Sequence, residues 1–122
     1  MKEGSYMHNH ELNTKLKEEI NNIDLLKLTE IFKVLGDNTK LKILLALCDS
    51  KKCVHDLIDI VESSQSNISH ALSKMKKYNI LKEEKTGKHV FYDYYDDHIK
   101  ELVSIAIHHI KECYNEERTD IK

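Results

Sequence analysis

Four side chains near the end of the chain can bind a divalent metal ion, and their spacing suits a helix. They are Asp96, His98, His109 and Glu112. On an α-helix, His98 and His109 fall within about 20° of each other around the axis but about 16 Å apart along it, so one ion cannot join them within one chain. If two such helices pack antiparallel about a two-fold axis, Asp96 and His98 of one copy meet His109 and Glu112 of the other. The spacing predicts a metal ion shared between subunits.

Another histidine in the same segment provides an internal control. His108 lies about 280° around the helix from His98, so it should face away from the predicted ligands. Replacing His108 should then preserve a metal response that replacing His109 abolishes. The competing interpretation is a helix that carries only solvated histidines and acids.

The length and composition favour a single cytoplasmic domain. A chain of 122 residues can bury a modest core, which dimerisation would extend. The sequence has no apolar run of membrane-spanning length and no apolar signal-peptide core near its start. Cys48, Cys53 and Cys113 are an odd, sparse set, which favours buried thiols or metal ligands over a disulfide framework. We therefore expect a cytoplasmic protein with no membrane partner.

The charge distribution says more than the net charge. The formal net charge is -2, but residues 51–90 hold eight lysines and five acids, a local excess of about +3. A moderately basic patch on an acidic body suits a protein that contacts DNA with one face, although solvated charge gives the same pattern. The charge alone decides little.

Helical periodicity dominates the chain, which has no proline and only three glycines. Gly36 is predicted to close one helix in the left-handed conformation, and Asp37 to cap the next by accepting a backbone N–H bond near Lys40. That next helix should be buried through Leu41, Ile43, Leu44, Leu45 and Leu47. The predicted helices cover residues 11–21, 23–35, the segment after Asp37, 54–61, 65–78 and 96–115.

Two of these helices, joined by a tight turn, form a DNA-reading unit. In the second helix, Ile68, Leu72 and Met75 recur at helical spacing and should face inward. The outward residues should contact double-stranded DNA. They are Gln65, Ser66, Asn67, Ser69, His70 and Lys74.

A hairpin follows this unit. Residues 80–84 and 88–94 flank Thr86-Gly87, and the second arm is rich in β-formers. A hairpin directly after a helix-turn-helix makes a winged helix, and Lys85 and Lys88 at its tip can reach phosphates. The fold predicted is mainly α with a small β-hairpin, a winged helix-turn-helix.

The closing helix carries an apolar stripe wider than packing on one surface needs, as a dimer seam would require. The stripe comprises Ile99, Leu102, Val103, Ala106 and Ile110, widened by Ile105 and Ile107. We therefore predict a homodimer formed through terminal helices. Residues 1–10 should form a flexible N-terminal arm, and residues 11–122 one DNA-binding and dimerisation domain.

The order of elements and several local motifs resemble the ArsR/SmtB family of winged-helix metal-sensing repressors. The resemblance covers roughly residues 25–112. The motifs are Val34–Leu41 before the buried helix, Lys52–Leu57, Ser64–Leu72 and Gly87–Tyr92.

The resemblance implies a function. The zinc-sensing branch of the family places ligands in its last helix as D-x-H, ten residues, H, two residues, then E or H, a pattern that Asp96, His98, His109 and Glu112 match. It implies a dimer that binds operator DNA without metal and releases it when metal binds, so that transcription resumes. The thiol-poor ligand set favours Zn, with Co or Ni as look-alikes.

A second metal site is a further hypothesis. The branch that senses larger, softer ions uses two cysteines where this chain has Cys53 and His55, and a cysteine on its N-terminal arm, where this chain has His8 and His10. A mixed site from these residues and Asp56 would suit Zn or Cd. The competing interpretation is a buried thiol, a surface imidazole and a flexible tail.

Three other functions compete with this prediction. A catalytic zinc site is disfavoured because four protein ligands leave no position for water, and no H-E-x-x-H, G-x-S-x-G or glycine-rich phosphate loop occurs. We therefore expect no enzyme activity. A thiol-switched repressor using Cys48, Cys53 or Cys113, and a metal-buffering protein without DNA binding, remain alternatives.

Overall fold

The computed structural model of the chain describes the backbone of residues 8–121 and the side chains of residues 8–113. Within that part the chain forms six helices and one two-stranded hairpin, which confirms the predicted mainly helical fold with a wing. In chain order these are α1 (His10–Asn21), α2 (Leu25–Leu35), α3 (Asn38–Ala46), α4 (Val54–Val61), α5 (Gln65–Lys77), β1 (Leu81–Thr86), β2 (His89–Tyr94) and α6 (Asp97–Ile121).

Side-chain caps fix where several helices begin. Asp37 accepts the backbone N–H of Lys40 at 2.9 Å, as predicted, and so starts α3. Asp24 caps α2 in the same way, which is why that helix begins at Leu25 and not at residue 23. Ser64 caps α5 by accepting the N–H of Asn67 at 3.1 Å. Each cap satisfies a backbone donor that the first helical turn leaves unpaired.

The predicted left-handed conformation of Gly36 is wrong. Gly36 has φ -87° and ψ 0°, a right-handed geometry, and its N–H donates to the carbonyl of Phe32 at 2.9 Å. The reason is the short connection, since Asp37 already caps α3 and the chain turns without reversing its hand. A Cβ at this position would lie 3.3 Å from the Phe32 carbonyl oxygen, so the close approach favours glycine.

The core lies between α3, α4, α5 and the hairpin. Its fully buried side chains include Ile43, Leu44, Leu47, Leu57, Ile68, Leu72, Met75, Ile80 and Leu81. This confirms the inward face predicted for the second helix of the DNA-reading unit. Leu45 was predicted to be buried with its neighbours, but it is exposed, because it points away from this core towards α6.

The chain turns tightly between α4 and α5 through one residue in the left-handed conformation. Glu62 ends α4 with φ 59° and ψ 52°, and its N–H donates to the carbonyl of Ile58 at 2.9 Å. A non-glycine residue in this conformation is uncommon, and here the packing of Leu57 and Val61 under α5 holds it. The two helices thus form the predicted helix-turn-helix.

The wing is an antiparallel hairpin fastened to the body. Leu81 pairs with Tyr94 at its base, and Thr86 pairs with His89 beside the two-residue turn at its tip, where Gly87 has φ 63°. Both strands therefore reach the turn, whereas the first was predicted to end at residue 84. Lys52 and Tyr92 exchange backbone hydrogen bonds of 3.0 and 2.7 Å, so the segment before α4 joins the hairpin.

Two apolar surfaces on the described part of the chain face solvent. The first is the outer stripe of α1, a helix with no buried residue, where Leu12, Leu16 and Ile20 are exposed. The second, which we term the apolar groove, is a cavity of about 500 Å³ between α2, α3 and α6. Phe32, Leu35, Leu45, Leu102, Ala106 and Ile110 are among its lining residues.

Candidate metal centre and DNA-binding surface

Asp96 and His98 lie side by side where α6 begins. Asp96 Oδ1 accepts the backbone N–H of His98 at 3.0 Å, so Asp96 precedes the helix and does not belong to it. Asp96 Oδ2 lies 3.1 Å from His98 Nδ1, and the histidine side chain is 87% exposed. Two donors on one tetrahedral zinc ion, each at about 2.0–2.1 Å, lie about 3.3 Å apart. The two side chains therefore fit one ion.

His109 and Glu112 lie three turns further along α6, and both are exposed. They are not in contact with each other in the structure. Glu112 Oε2 lies 3.7 Å from Nδ1 of His108, the histidine expected to face away, whereas His109 Nδ1 lies 3.6 Å from Cys113 Sγ. Cys113 is exposed in the single chain.

No three potential metal ligands come together within the described residues of one chain. The two halves of the candidate centre stand at opposite ends of an 11-residue helical interval, about 16 Å apart along the axis. Each half leaves its donors open to solvent. The donor set therefore fits a zinc ion only where a second copy supplies the other half.

The residues of the predicted second site are only partly brought together. Cys53 Sγ donates to Asp56 Oδ2 at 3.5 Å on the first turn of α4, where Cys53 occupies the cap position. His55 points outward and is exposed. His8 and His10 are also exposed, with His10 as the first residue of α1. Residues 1–7 of the predicted arm lie outside the described residues.

Most of the predicted DNA contacts lie on the outer face of α5. Gln65, Ser66, Asn67, Ser69 and His70 are all exposed, while the opposite face is buried in the core. The Asn67 side-chain amide donates to Ser63 Oγ at 3.2 Å, which fixes one of these side chains against the turn.

Lys74 lies at the edge of this surface and keeps 42% of its side chain exposed. Its Nζ lies 3.8 Å from Glu30 Oε1 on α2, and Glu30 also accepts from Lys33 at 3.4 Å. The contact between Lys74 and Glu30 joins two helices, and no local sequence pattern predicts it.

The tip of the wing is cationic. Lys85 is the next-to-last residue of β1 and Lys88 lies in the turn, and both side chains are exposed. Lysines at such a tip can contact phosphate oxygens without reading sequence. The outer face of α5 and the tip of the wing are therefore both exposed, and they follow each other in the winged helix-turn-helix.

A polar network at the base of the wing joins it to α5. Lys76 Nζ donates to Glu83 Oε1 at 2.8 Å, and the Tyr92 hydroxyl donates to Glu83 Oε2 at 3.2 Å. The hydrogen bond from Lys76 holds the pKa of Glu83 below its usual value, and burial raises the pKa of the Tyr92 hydroxyl. Sequence reasoning missed this network, because its members are seven and nine residues apart on different elements.

A buried tyrosine connects α3 to the second strand of the wing. The Tyr94 hydroxyl donates to the Leu44 carbonyl at 2.6 Å, and burial raises its pKa well above the usual value. Cys48 Sγ lies 3.7 Å from the same hydroxyl. All three cysteines fall within the described side chains and carry free thiols.

None of the helices found in residues 8–121 is both long enough and apolar enough to cross a membrane.

Comparison with known proteins identifies the family. The family described as "Bacterial regulatory protein, arsR family" matches residues 37–83, from the α3 cap to the first strand of the wing. The chain is 35% identical over 113 residues to a cadmium resistance transcriptional regulatory protein CadC homolog of Staphylococcus aureus, covering 92% of this chain and 93% of that protein. It is 36% identical over 81 residues to the arsenical resistance operon repressor of Bacillus subtilis, covering 66% and 77%.

A solved structure shares the fold. The homodimeric winged helix-turn-helix DNA-binding domain Mb0332 of Mycobacterium bovis, a possible ArsR-family regulator, superposes with a TM-score of 0.65. The match covers 72% of this chain and 85% of that one at 17% identity. The chain therefore belongs to the arsR family of bacterial regulatory proteins, winged-helix DNA-binding regulators of transcription.

Proposed function

We propose that this protein is a metal-responsive repressor that binds operator DNA as a homodimer and releases it when zinc binds between the subunits. Each zinc ion is held by Asp96 and His98 of one subunit and by His109 and Glu112 of the other. Zinc is the cognate ion, with Co, Ni or Cd able to replace it. Family and fold are those of transcription regulators, which argues against an enzyme.

The observation that carries the proposal is the placement of two donors at the start of α6 and two more three turns further along it. Asp96 and His98 already lie 3.1 Å apart, close to the spacing that one tetrahedral ion requires. His109 is exposed on the same side of the helix, about 20° around the axis. In an antiparallel pair of α6 helices, the first pair of donors of each copy lies beside the second pair of the other copy. The dimer therefore contains two metal sites, each with four ligands.

The apolar surfaces support a dimer through terminal helices. The apolar groove borders α6, and exposed α1 offers a second stripe, so a second copy can cover both. Exposed apolar surface of this kind marks an interaction site in a protein of this size. The homologous fold named above is itself homodimeric.

The exposed residues of α5 and of the wing tip form the proposed DNA-binding surface. Gln65, Ser66, Asn67, Ser69 and His70 on α5 enter the major groove, where their side chains can reach base edges. Lys85 and Lys88 contact the flanking phosphates, with Lys74 joining them once DNA competes with Glu30.

The names of two relatives refer to cadmium and to arsenicals and not to zinc. One is a cadmium resistance regulator homolog and another an arsenical resistance repressor. Nitrogen and oxygen donors favour zinc over softer ions, which is why zinc is proposed here. The Cys53–Asp56 pair, with His55 and the N-terminal His8 and His10, is proposed as a second site for zinc or cadmium.

The test is a titration of a protein–DNA complex with zinc. A duplex selected from a random pool by the metal-free protein serves as the operator, and fluorescence anisotropy reports binding. Zinc should weaken DNA binding by about 5- to 150-fold, the range of typical allosteric coupling. By reciprocity, the same DNA should weaken zinc binding by the same factor.

Two adjacent histidines provide the matched pair of variants. His109→Ala should abolish the response to zinc, whereas His108→Ala, one residue away and also exposed, should keep it. Equal loss from both changes would contradict the inter-subunit geometry. Release by peroxide but not by zinc would favour the thiol-switched repressor, and zinc binding without any DNA binding would favour a metal buffer.

A further inference from the structure

We propose that the C-terminal half of α5 binds a backbone phosphate of the operator in a polar cleft, which we term the cationic cleft. The cleft has a volume of about 280 Å³ and is lined by His70, Ser73, Lys74, Lys77 and Tyr78. The inference rests on the proposed function, because it assumes that α5 enters the major groove of DNA. It adds Ser73, Lys77 and Tyr78 to the proposed DNA-binding surface, and their ligand is a phosphodiester and not a base edge.

The outward face of α5 continues to the end of the helix. Four exposed residues share this face because they are spaced four, three and four positions apart, and they fall within about 60° of one another around the axis. They are Ser66, His70, Ser73 and Lys77. The face that is proposed to read base edges therefore extends without a break to Lys77.

This face is longer than the major groove is wide. Ser66 and Lys77 are about 16 Å apart along the helix axis, whereas the major groove of DNA is about 12 Å wide. When the first turns of α5 lie against base edges, the last turn therefore lies beyond the groove and beside the sugar–phosphate backbone. A phosphate is the DNA group that the cationic cleft then meets.

The side chains of the cationic cleft suit a phosphate, and none of its five lining residues is acidic. Lys77 Nζ lies 5.7 Å from the centroid of the Tyr78 ring, so its charge is held beside the cleft. The hydroxyls of Ser73 and Tyr78 can donate to phosphate oxygens, and Lys74 supplies a second ammonium group. Because Glu30 on α2 lies 3.8 Å from Lys74 Nζ and neutralises part of that charge, Lys77 makes the main contact.

The neighbouring lysine of the last turn faces elsewhere. Lys76 lies about 100° around the axis from Lys77, and its Nζ donates to Glu83 Oε1 on β1 at 2.8 Å. The competing role for Lys77 is stabilisation of the helix, since a cation near a helix C-terminus interacts favourably with the macrodipole. That role predicts a loss of protein stability without any change in the salt dependence of DNA binding, so the two roles can be separated.

Salt titration of the full-length, metal-free protein on the selected duplex tests the proposal. Lys77→Ala should reduce the slope of log K against log salt by about 1.8, the value of one phosphate contact from each subunit of the proposed dimer. Lys77→Arg keeps the charge and should retain the wild-type slope. Lys100→Ala, which removes an exposed lysine on α6, is the control and should also retain it. A wild-type slope for Lys77→Ala would overturn the proposal.

Duplexes that carry a single methylphosphonate linkage identify the phosphate, because each such linkage removes one backbone charge. At one position in each half-site, the linkage should weaken binding of the wild type but not of Lys77→Ala. For Lys88→Ala on the wing, the insensitive position should be a different one. If no position loses its effect in Lys77→Ala, or if both variants lose the same position, the cleft is not a separate phosphate site.

The outcomes separate this inference from the function on which it rests. If the wild type binds the duplex and zinc releases it, but Lys77→Ala keeps the wild-type slope, the cationic cleft is overturned and the proposed function stands. If the wild-type protein selects no duplex from the random pool, the proposed function and the cleft are both contradicted.

Discussion

Replacing Ile110 by alanine should weaken dimerisation about 30-fold without unfolding the protein. Ile110 lines the apolar groove on α6 and is 50% exposed in the single chain. Truncation costs the isolated subunit only the contacts of the half that already packs, about 1 kcal/mol, which is small beside the roughly 5–15 kcal/mol stability typical of a domain. In the proposed dimer the exposed half is covered by the second copy, so the substitution acts mainly on association.

The magnitude follows from the exposed fraction and the symmetry. Complete burial of an isoleucine side chain stabilises by about 1.5–3 kcal/mol, so covering the exposed half contributes about 1 kcal/mol. A two-fold dimer contains the position twice, which gives about 2 kcal/mol. Since about 1.4 kcal/mol corresponds to a factor of ten, the dissociation constant of the dimer should rise about 30-fold.

Sedimentation equilibrium over a dilution series measures this constant directly. Ile60→Ala is the control, because Ile60 is 52% exposed but lies on α4, away from the apolar groove. It should leave association unchanged. Zinc should restore the Ile110→Ala dimer, because an ion held by both chains adds its binding free energy to association. Equal weakening by both substitutions, or none by Ile110→Ala, would refute the assignment of the seam.

Two further predictions concern the wing. Lys88→Ala should reduce the slope of log K against log salt for DNA binding by about 1.8, the value of two lost phosphate contacts, one from each subunit of the proposed dimer. Lys100→Ala on α6 should leave the slope unchanged, and equal slopes for wild type and Lys88→Ala would exclude the contact. Lys76 holds the pKa of Glu83 down, so this pair stabilises the fold above the unfolded-state pKa of Glu83 and loses its effect as the pH falls through the folded-state pKa. Urea unfolding should therefore show that Glu83→Gln is less stable than wild type at neutral pH, by under about 1 kcal/mol because the pair is exposed. The difference in the free energy of unfolding should vanish in acid. A difference that grows in acid would contradict the ion pair.

The DNA-reading unit could be predicted from the sequence because local rules determine it. Ile68, Leu72 and Met75 recur at helical spacing, and all three are buried. The β-rich run before Tyr94 forms the second strand of the wing as predicted. In each case periodicity, turn residues and tertiary packing favour the same structure.

Features that depend on how neighbouring elements meet could not be predicted. Gly36 stays right-handed because the cap of α3 follows at once, and the contact of Lys74 with Glu30 depends on how α5 packs beside α2. The pairing of His109 with Cys113 instead of Glu112 was also missed, since spacing allows both and only side-chain conformation separates them. The sequence thus indicated where the donors stand but not which neighbours they contact.

The bridge between Lys52 and Tyr92 limits how this protein can respond to a signal. Because that bridge and the Lys76–Glu83 contact fasten the wing to the helix-turn-helix, each reading head should move as a rigid body. The proposed dimer contains two such rigid units. Metal binding can then change the distance and angle between the two DNA-binding units but not the shape of either. Inserting one base pair between operator half-sites should therefore reproduce in DNA much of the loss of affinity that the metal produces in the protein.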